Sequence, residues 1–219
     1  MPHLTLRRRT ILAAAPLLAI GALAAAAPAF VTPAWAAPTL NAPAPAFQAK
    51  DADGRVRSLA EFKGRVVVLE WHNPGCPYVQ KHYGSGNMQT LQQRATGEGV
   101  VWLTIDSGAP GEQGYLEGAA AKGWKAAHHA HSTDLLLDHD GKVGRLYGAR
   151  TTPHMFVIDK AGRLVYMGGI DDRPYADPES LKGAKNYVAL ALADVQAGRP
   201  VAEPVTRPYG CSVKYSSAE

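Results

Sequence analysis

The chain has 219 residues and a formal net charge of +4, long enough for one domain with a sizeable core. Arg7, Arg8 and Arg9 are the only Lys, Arg, Asp or Glu residues before Lys50. Without that leader the net charge is about +1, so the basic excess implies neither a nucleic acid nor a membrane surface as partner. The two cysteines, Cys76 and Cys211, are too few for a disulfide-stapled miniprotein, but they suffice for one redox pair or one structural bridge.

The three arginines precede an Ala-rich apolar stretch that runs to about Val31. Ala34 and Ala36 then give the small-x-small pattern of a signal-peptidase site. Arg8-Arg9-Thr10-Ile11-Leu12 resembles a twin-arginine export signal. Residues 1–36 are therefore expected to be a signal peptide cut after Ala36, which implies a periplasmic location with no membrane attachment after cleavage. The alternative is an uncleaved anchor, but Pro16, Gly21 and Pro28 interrupt the apolar stretch. Export places both cysteines in an oxidising compartment.

Residues 37–46 are Pro/Ala-rich and aperiodic and read as an extended arm. Asp51-Ala52-Asp53-Gly54 is a turn signal, with a short strand from Val56 to Leu59 after it. Arg65–Trp71 is a continuous apolar run of strand length, the pattern of a strand buried on both faces. Asn73-Pro74-Gly75 is a turn. Proline favours the first helical turn, so Cys76-Pro77 predicts a helix with Cys76 at its N-terminal edge. Val100–Asp106 is a second buried strand. A helix is expected over Glu112–Lys122, a strand at Leu135–Leu137, a turn at Asp138–Gly141 and a short helix from Lys142 to Tyr147 ending at Gly148.

Thr151-Thr152-Pro153 leads into a strand, His154–Ile158. A turn at 159–162 and a strand from Leu164 to Met167 complete a hairpin. Apolar residues at helical spacing predict a helix from Glu179 to Ala197, stopped by Gly198. Pro200, Pro204 and Pro208 keep residues 199–219 extended. There is no internal repeat, and the alternation of strands and helices marks an α/β domain over 47–198.

In this order, four segments resemble the thioredoxin fold: Trp71–Val79 with its Pro-Gly-Cys-Pro turn, Thr152–Asp159, Gly169–Asp172, and Gly210–Tyr215. They are most similar to its redoxin branch, the alkyl hydroperoxide reductase/thiol-specific antioxidant superfamily with its exported peroxiredoxin-like members. The resemblance implies a single thioredoxin-like domain, with a central mixed sheet flanked by helices and an extended tail carrying Cys211. It also implies an attacking thiol at Cys76, and at Pro153 a cis proline facing that thiol. Roughly 5–6% of X–Pro bonds are cis, so composition alone predicts trans there. The cis bond would turn the Thr152 backbone towards an extended substrate. The sequence departs from the family in two ways. Val79 stands where a Cys-x-x-Cys motif has its second cysteine, and the peroxiredoxin pattern of a peroxidatic cysteine at that second position, an upstream threonine and a distant arginine is not evident.

Cys76 has its own physical case. The partial positive charge and free N–H groups of a helix N-terminus lower a thiol pKa. Cys211 has two readings of comparable weight: a resolving cysteine that folds back onto Cys76, or a permanent Cys76–Cys211 disulfide, which would add about 4–5 kcal/mol by closing a long loop. The reading that results is a periplasmic thiol–disulfide oxidoreductase without cofactor or bound metal, acting on protein thiols and disulfides or on a small thiol or peroxide. Its rivals are a peroxiredoxin-like thiol peroxidase, a non-enzymatic binding domain with a structural disulfide, and a metal chaperone. His128, His129, His131 and His139 suggest the last, although a loop His-His-x-His is more simply a set of solvated histidines. His72, Tyr78 and Lys81 are candidate neighbours of the thiol. Asp171-Asp172 reads either as a functional acidic spot or as a solvated turn.

Overall fold

In the computed structural model the described residues are 1–3 and 38–217, so the leader, its arginines and the Ala36 cut lie outside them. Residues 38–217 belong to one compact unit, Trp35–Glu219. No helix among the described residues is long and apolar enough to cross a membrane.

The unit is built on a seven-stranded mixed sheet. Its strands are β1 (Gln48–Asp51), β2 (Val56–Ser58), β3 (Val67–His72), β4 (Val101–Asp106), β5 (Asp134–Leu137), β7 (His154–Ile158) and β8 (Leu164–Gly168), in the order β2-β1-β5-β4-β3-β7-β8. β3, β4 and β5 run parallel; β7 and β8 add antiparallel on one side and β1 and β2 on the other. The helices are α1 (Pro77–Gly84), α2 (Asn87–Gly97), α3 (Gly118–Ala127), α4 (Lys142–Tyr147) and α5 (Tyr187–Gln196). A separate two-stranded ribbon joins β6 (Thr151–Thr152) to β9 (Cys211–Ser212).

The apolar runs are continuous because both faces of the sheet are covered. On β3, Val68 packs with α1, α2 and α5 through Val79, Met88, Leu91 and Leu192. Val67, Leu69 and Trp71 face the opposite core, with Phe47, Val143 and Tyr147. Burial on both sides removes the apolar–polar alternation of a half-exposed strand.

Two helices differ from the sequence expectation. Residues 112–117 are not helical, and α3 begins only at Gly118. Segment 107–117 is instead pinned as a loop. Asp106 accepts from the Gly108 and Leu116 amides, and Asn73 donates to the Gln113 carbonyl. The predicted helix over 179–197 is split. A 3-10 turn at Pro178–Leu181 ends before Gly183, whose φ is +67°. α5 then starts afresh, with Asn186 as its N-cap accepting from the Ala189 amide. The sequence reading also assigns no element to β1 or α2.

The two ends of the unit lie along the sheet. Asn41 donates to the Leu164 carbonyl, and Leu164 returns a bond to Ala42. The tail after α5 is extended, as expected, and it is docked. It follows β8 through Met167, Pro204 and Thr206, then reaches β6 as β9. Beyond β9, Tyr215 hydrogen-bonds the Ala149 carbonyl and lies where a side chain at Gly144 would stand.

Candidate active site

Cys76 is the N-cap of α1, and Pro77 fills the first helical position. The turn before it is set by Asn73, whose side chain accepts from Gly75 N–H and whose carbonyl accepts from Cys76 N–H. Proline fits the first turn because the N–H it lacks would have no helical partner there. The Cys76 side chain is fully buried.

The thiol faces β6. The Thr152–Pro153 bond is cis, and the Thr152 carbonyl lies 3.1 Å from Cys76 Sγ, accepting from the thiol. Thr152 is the register partner of Cys211, and Thr151 that of Ser212. The backbone edge expected to meet an extended substrate is therefore taken by the chain's own tail. Gly210 makes this approach possible: at φ +128°, an added Cβ would sit 2.0 Å from the Thr152 carbonyl oxygen.

Cys76, Thr152, Pro153 and Cys211 thus converge from three distant parts of the sequence. Both sulfurs are free thiols in the structure. Burial opposes ionisation of Cys76, but stabilisation of the thiolate by the Cys211 thiol, the Thr152 hydroxyl and the nearby backbone amides of Val79 and Cys211 outweighs it, leaving its pKa below the ordinary thiol value. The Cys211 pKa is pushed up to about 12 by burial, by its hydrogen bond to Cys76 and by the charge on Cys76, with nearby Lys214 acting the other way. The two thiols are differentiated: Cys76 is the better anion and Cys211 its proton-bearing partner.

The other candidates go elsewhere. His72 is buried against Trp124, with ring centroids 4.1 Å apart, and neither ring nitrogen has a hydrogen-bond partner. Tyr78 packs on Tyr209. Lys81 donates to the Arg173 carbonyl and the Tyr209 hydroxyl. His128 stacks on Trp124 and bonds its carbonyl, while the His139 ring pairs with the Leu116 carbonyl. Among the described residues, no group of three or more His, Cys, Asp or Glu could hold a metal ion.

Asp171 is not part of a solvated turn. It is buried, and it accepts from the Tyr209 hydroxyl and the Arg173 amide. Asp172 keeps the turn role, accepting from Lys185 N–H and pairing with Arg173. Sequence reasoning passed over Tyr209, although it lies two positions before Cys211. It also passed over Glu70, a charge inside the apolar run of β3. Fully buried, Glu70 accepts from Tyr83, Gln92, Trp102 and Thr104. An acid in the middle of a buried strand was the available signal, because such a group requires partners.

Over residues 40–167 the chain matches the AhpC/TSA family. It belongs to that family. It is therefore a redoxin with a thioredoxin-like mixed α/β domain. Among curated relatives, it is 23% identical over 122 residues to the thiol-disulfide oxidoreductase ResA of Bacillus thuringiensis subsp. konkukian, covering 56% of this chain and 65% of the relative. It is 28% identical over 151 residues to the chloroplastic peroxiredoxin Q of Suaeda salsa, covering 63% and 64%. The chain thus spans just under two thirds of the length of each. Among solved structures, a hypothetical protein of Sinorhizobium meliloti superposes with a TM-score of 0.70 at 26% identity, covering 82% of this chain and 96% of the other.

Proposed function

We propose that this redoxin is a thiol–disulfide oxidoreductase in which Cys76 attacks and Cys211 resolves. The observation that carries the reading is the placement of Cys211. It is in register with Thr152, whose carbonyl accepts from the Cys76 thiol, so one residue ties both cysteines to the same point of the fold. A cysteine placed only to pad a tail would not need this register.

The chemistry follows in two balanced exchanges. The Cys76 thiolate attacks a substrate disulfide, forming a mixed disulfide and releasing one substrate thiolate, which takes up a proton. The second exchange begins with a change at Cys211. Once Cys76 is covalently bonded, its charge and its hydrogen-bond acceptance disappear. Two of the three causes that hold the Cys211 pKa up are then gone, and Cys211 ionises more readily. Its thiolate attacks the Cys76 sulfur, the intramolecular disulfide forms, and the second substrate thiolate leaves. Two thiols of the protein are oxidised and one substrate disulfide is reduced, and a dithiol donor resets the pair.

Cys76 is fully buried with Cys211 of β9 beside it, and in this reading the substrate sulfur reaches it when that ribbon moves aside. A cleft of about 390 Å³ elsewhere, around Leu59, Phe62 and Lys160, contains neither cysteine. A cleft of about 530 Å³ lies beside Thr151 and Gly210, with Asp172, Pro174 and Arg207 on its walls, and it offers room for a protein segment or a small disulfide. An exported, periplasmic setting follows from the leader, and N-terminal sequencing of the mature protein tests it: the chain should begin at Ala37.

A glutathione redox titration tests the function. The Cys76–Cys211 couple should have a potential within roughly −120 to −270 mV, and Cys211→Ser should accumulate mixed disulfides that Cys76→Ser abolishes. A potential below about −300 mV, with no trapped species, would leave a structural staple and overturn the reading. Running the same variants with hydrogen peroxide as oxidant separates a peroxidase from a disulfide exchanger.

A further inference from the structure

The segment carrying Cys211 is held by a buried polar knot two residues upstream. The Tyr209 hydroxyl donates to Asp171 Oδ1 at 2.5 Å and lies 3.2 Å from both Lys81 Nζ and His82 Nε2. Lys81 is 1% exposed and Asp171 2%. Lys81 Nζ also donates to the Arg173 carbonyl at 2.8 Å, and His82 Nδ1 is 2.8 Å from the Asn87 side chain. The Tyr209 ring packs on Tyr78, with centroids 5.8 Å apart.

Tyr78, Lys81 and His82 all belong to α1, the helix that Cys76 caps. The knot therefore ties the tail to the same rigid element that carries the attacking thiol. Burying an ammonium and a carboxylate costs desolvation energy that packed apolar side chains would avoid, so such a group is a poor device for stability alone. A buried, directional hydrogen-bond set is well suited to fixing register. Here the register that matters is Thr152 with Cys211. A one-residue slip in an extended strand would turn the Cys211 side chain to the opposite face.

We propose that Tyr209 is the positioning residue of the resolving step: its hydroxyl, held by Asp171 and Lys81, sets Cys211 against Cys76. The proposal rests on the thiol-exchange reading above. In chemical terms, Tyr209 does not touch the reacting sulfurs. It raises the effective concentration of Cys211 at the Cys76 mixed disulfide, favouring closure of the intramolecular bond over persistence of the mixed one.

The test is to react the reduced protein with glutathione disulfide and partition the products by mass. In the first step Cys76 takes one glutathione and releases the other as thiol; in the second Cys211 displaces the bound glutathione. Wild type should give mostly the Cys76–Cys211 disulfide. Tyr209→Phe removes the hydroxyl and keeps the ring, and it should raise the ratio of mixed to intramolecular disulfide by about 10- to 100-fold, with the equilibrium constant for the intramolecular disulfide lowered to match. Leu192→Ala, a buried change on α5, controls for loss of stability: it should lower the unfolding midpoint and leave the ratio unchanged. If Tyr209→Phe does not accumulate as folded protein, Lys81→Met removes another partner of the same hydroxyl and carries the same expectation. An unchanged ratio in a folded knot variant, or an equal change in Leu192→Ala, overturns the proposal and leaves the exchange reading standing. Wild type that forms no intramolecular disulfide overturns both.

Discussion

Cys211 meets Cys76 by way of Thr152: one residue supplies the carbonyl that accepts from the Cys76 thiol and the backbone partner that holds Cys211 in register. The protonation of each sulfur therefore depends on the other, and the pair responds to pH as a unit.

The first consequence concerns thiol reactivity. Alkylation of Cys76 follows its thiolate fraction, so the rate should rise with pH around a midpoint below the ordinary thiol value of about 8.5. Cys211→Ala removes a donor to the thiolate while much of the burial that opposes ionisation stays. The midpoint should therefore move up. An iodoacetamide rate profile against pH measures this, and an unmoved midpoint would show that Cys211 does not support the anion.

Gly210→Ala should separate the two sulfurs. The added methyl group meets the Thr152 carbonyl, a backbone atom that cannot swing aside, at a φ that side chains rarely adopt. β9 must lift. Formation of the Cys76–Cys211 disulfide should slow by at least about tenfold, with a stability loss of roughly 1–3 kcal/mol. Stopped oxidation with mass analysis reads the first effect and urea unfolding the second.

The hub at Glu70 should dominate mutational damage to the α1/α2 face of the sheet. Glu70→Ala leaves the donors of Tyr83, Gln92, Trp102 and Thr104 without their acceptor, at a cost of about 3–5 kcal/mol. Glu70→Gln keeps one acceptor oxygen and should cost less, about 1–3 kcal/mol. Denaturant melts of the two variants give the comparison, and equal losses would contradict the role of the second oxygen.

Asp106 sets an unusual pH dependence of stability. Burial lifts its pKa to about 7, against the pull of the Gly108 and Leu116 amides, and Asp138 adds to the rise. A carboxyl with a raised folded pKa favours the native state when neutral. Its contribution is full below the unfolded value of about 3.9 and is lost as pH rises through about 7. Between these limits the domain should lose stability with rising pH, by about 2–4 kcal/mol from this group. Asp106→Asn should abolish that slope at a fixed cost, since its amide turns a donor towards a backbone N–H. Unfolding free energies across the window decide it.

The parts of the fold that were legible in the sequence share one cause. β3, β4 and β7 are buried on both faces, so they read as unbroken apolar runs, and Gly148 ends α4 through a left-handed residue. α2 was not legible because its buried residues Met88, Leu91 and Ala95 lie among Gln, Thr and Arg, too sparse to mark a face. α3 was displaced because Asp106 and Asn73 capture the preceding segment through long-range bonds that local spacing does not encode. At the site, Cys76 announced itself through Pro77 and the turn before it. Tyr209 did not, since its value depends on Lys81 and Asp171, which only the folded chain brings to it.

The site also has an order of assembly. Its parts come from the first, middle and last thirds of the domain, and the cover over Cys76 is β9, the latest of them in the chain. Until β9 docks, nothing from the tail shields that sulfur or holds its proton balance. A chain emerging N-terminus first carries Cys76 without its resolving partner until the tail has been synthesised. The quiet, capped thiol of the finished domain therefore requires the whole domain, and the growing chain is exposed to wrong partners for as long as the tail is missing.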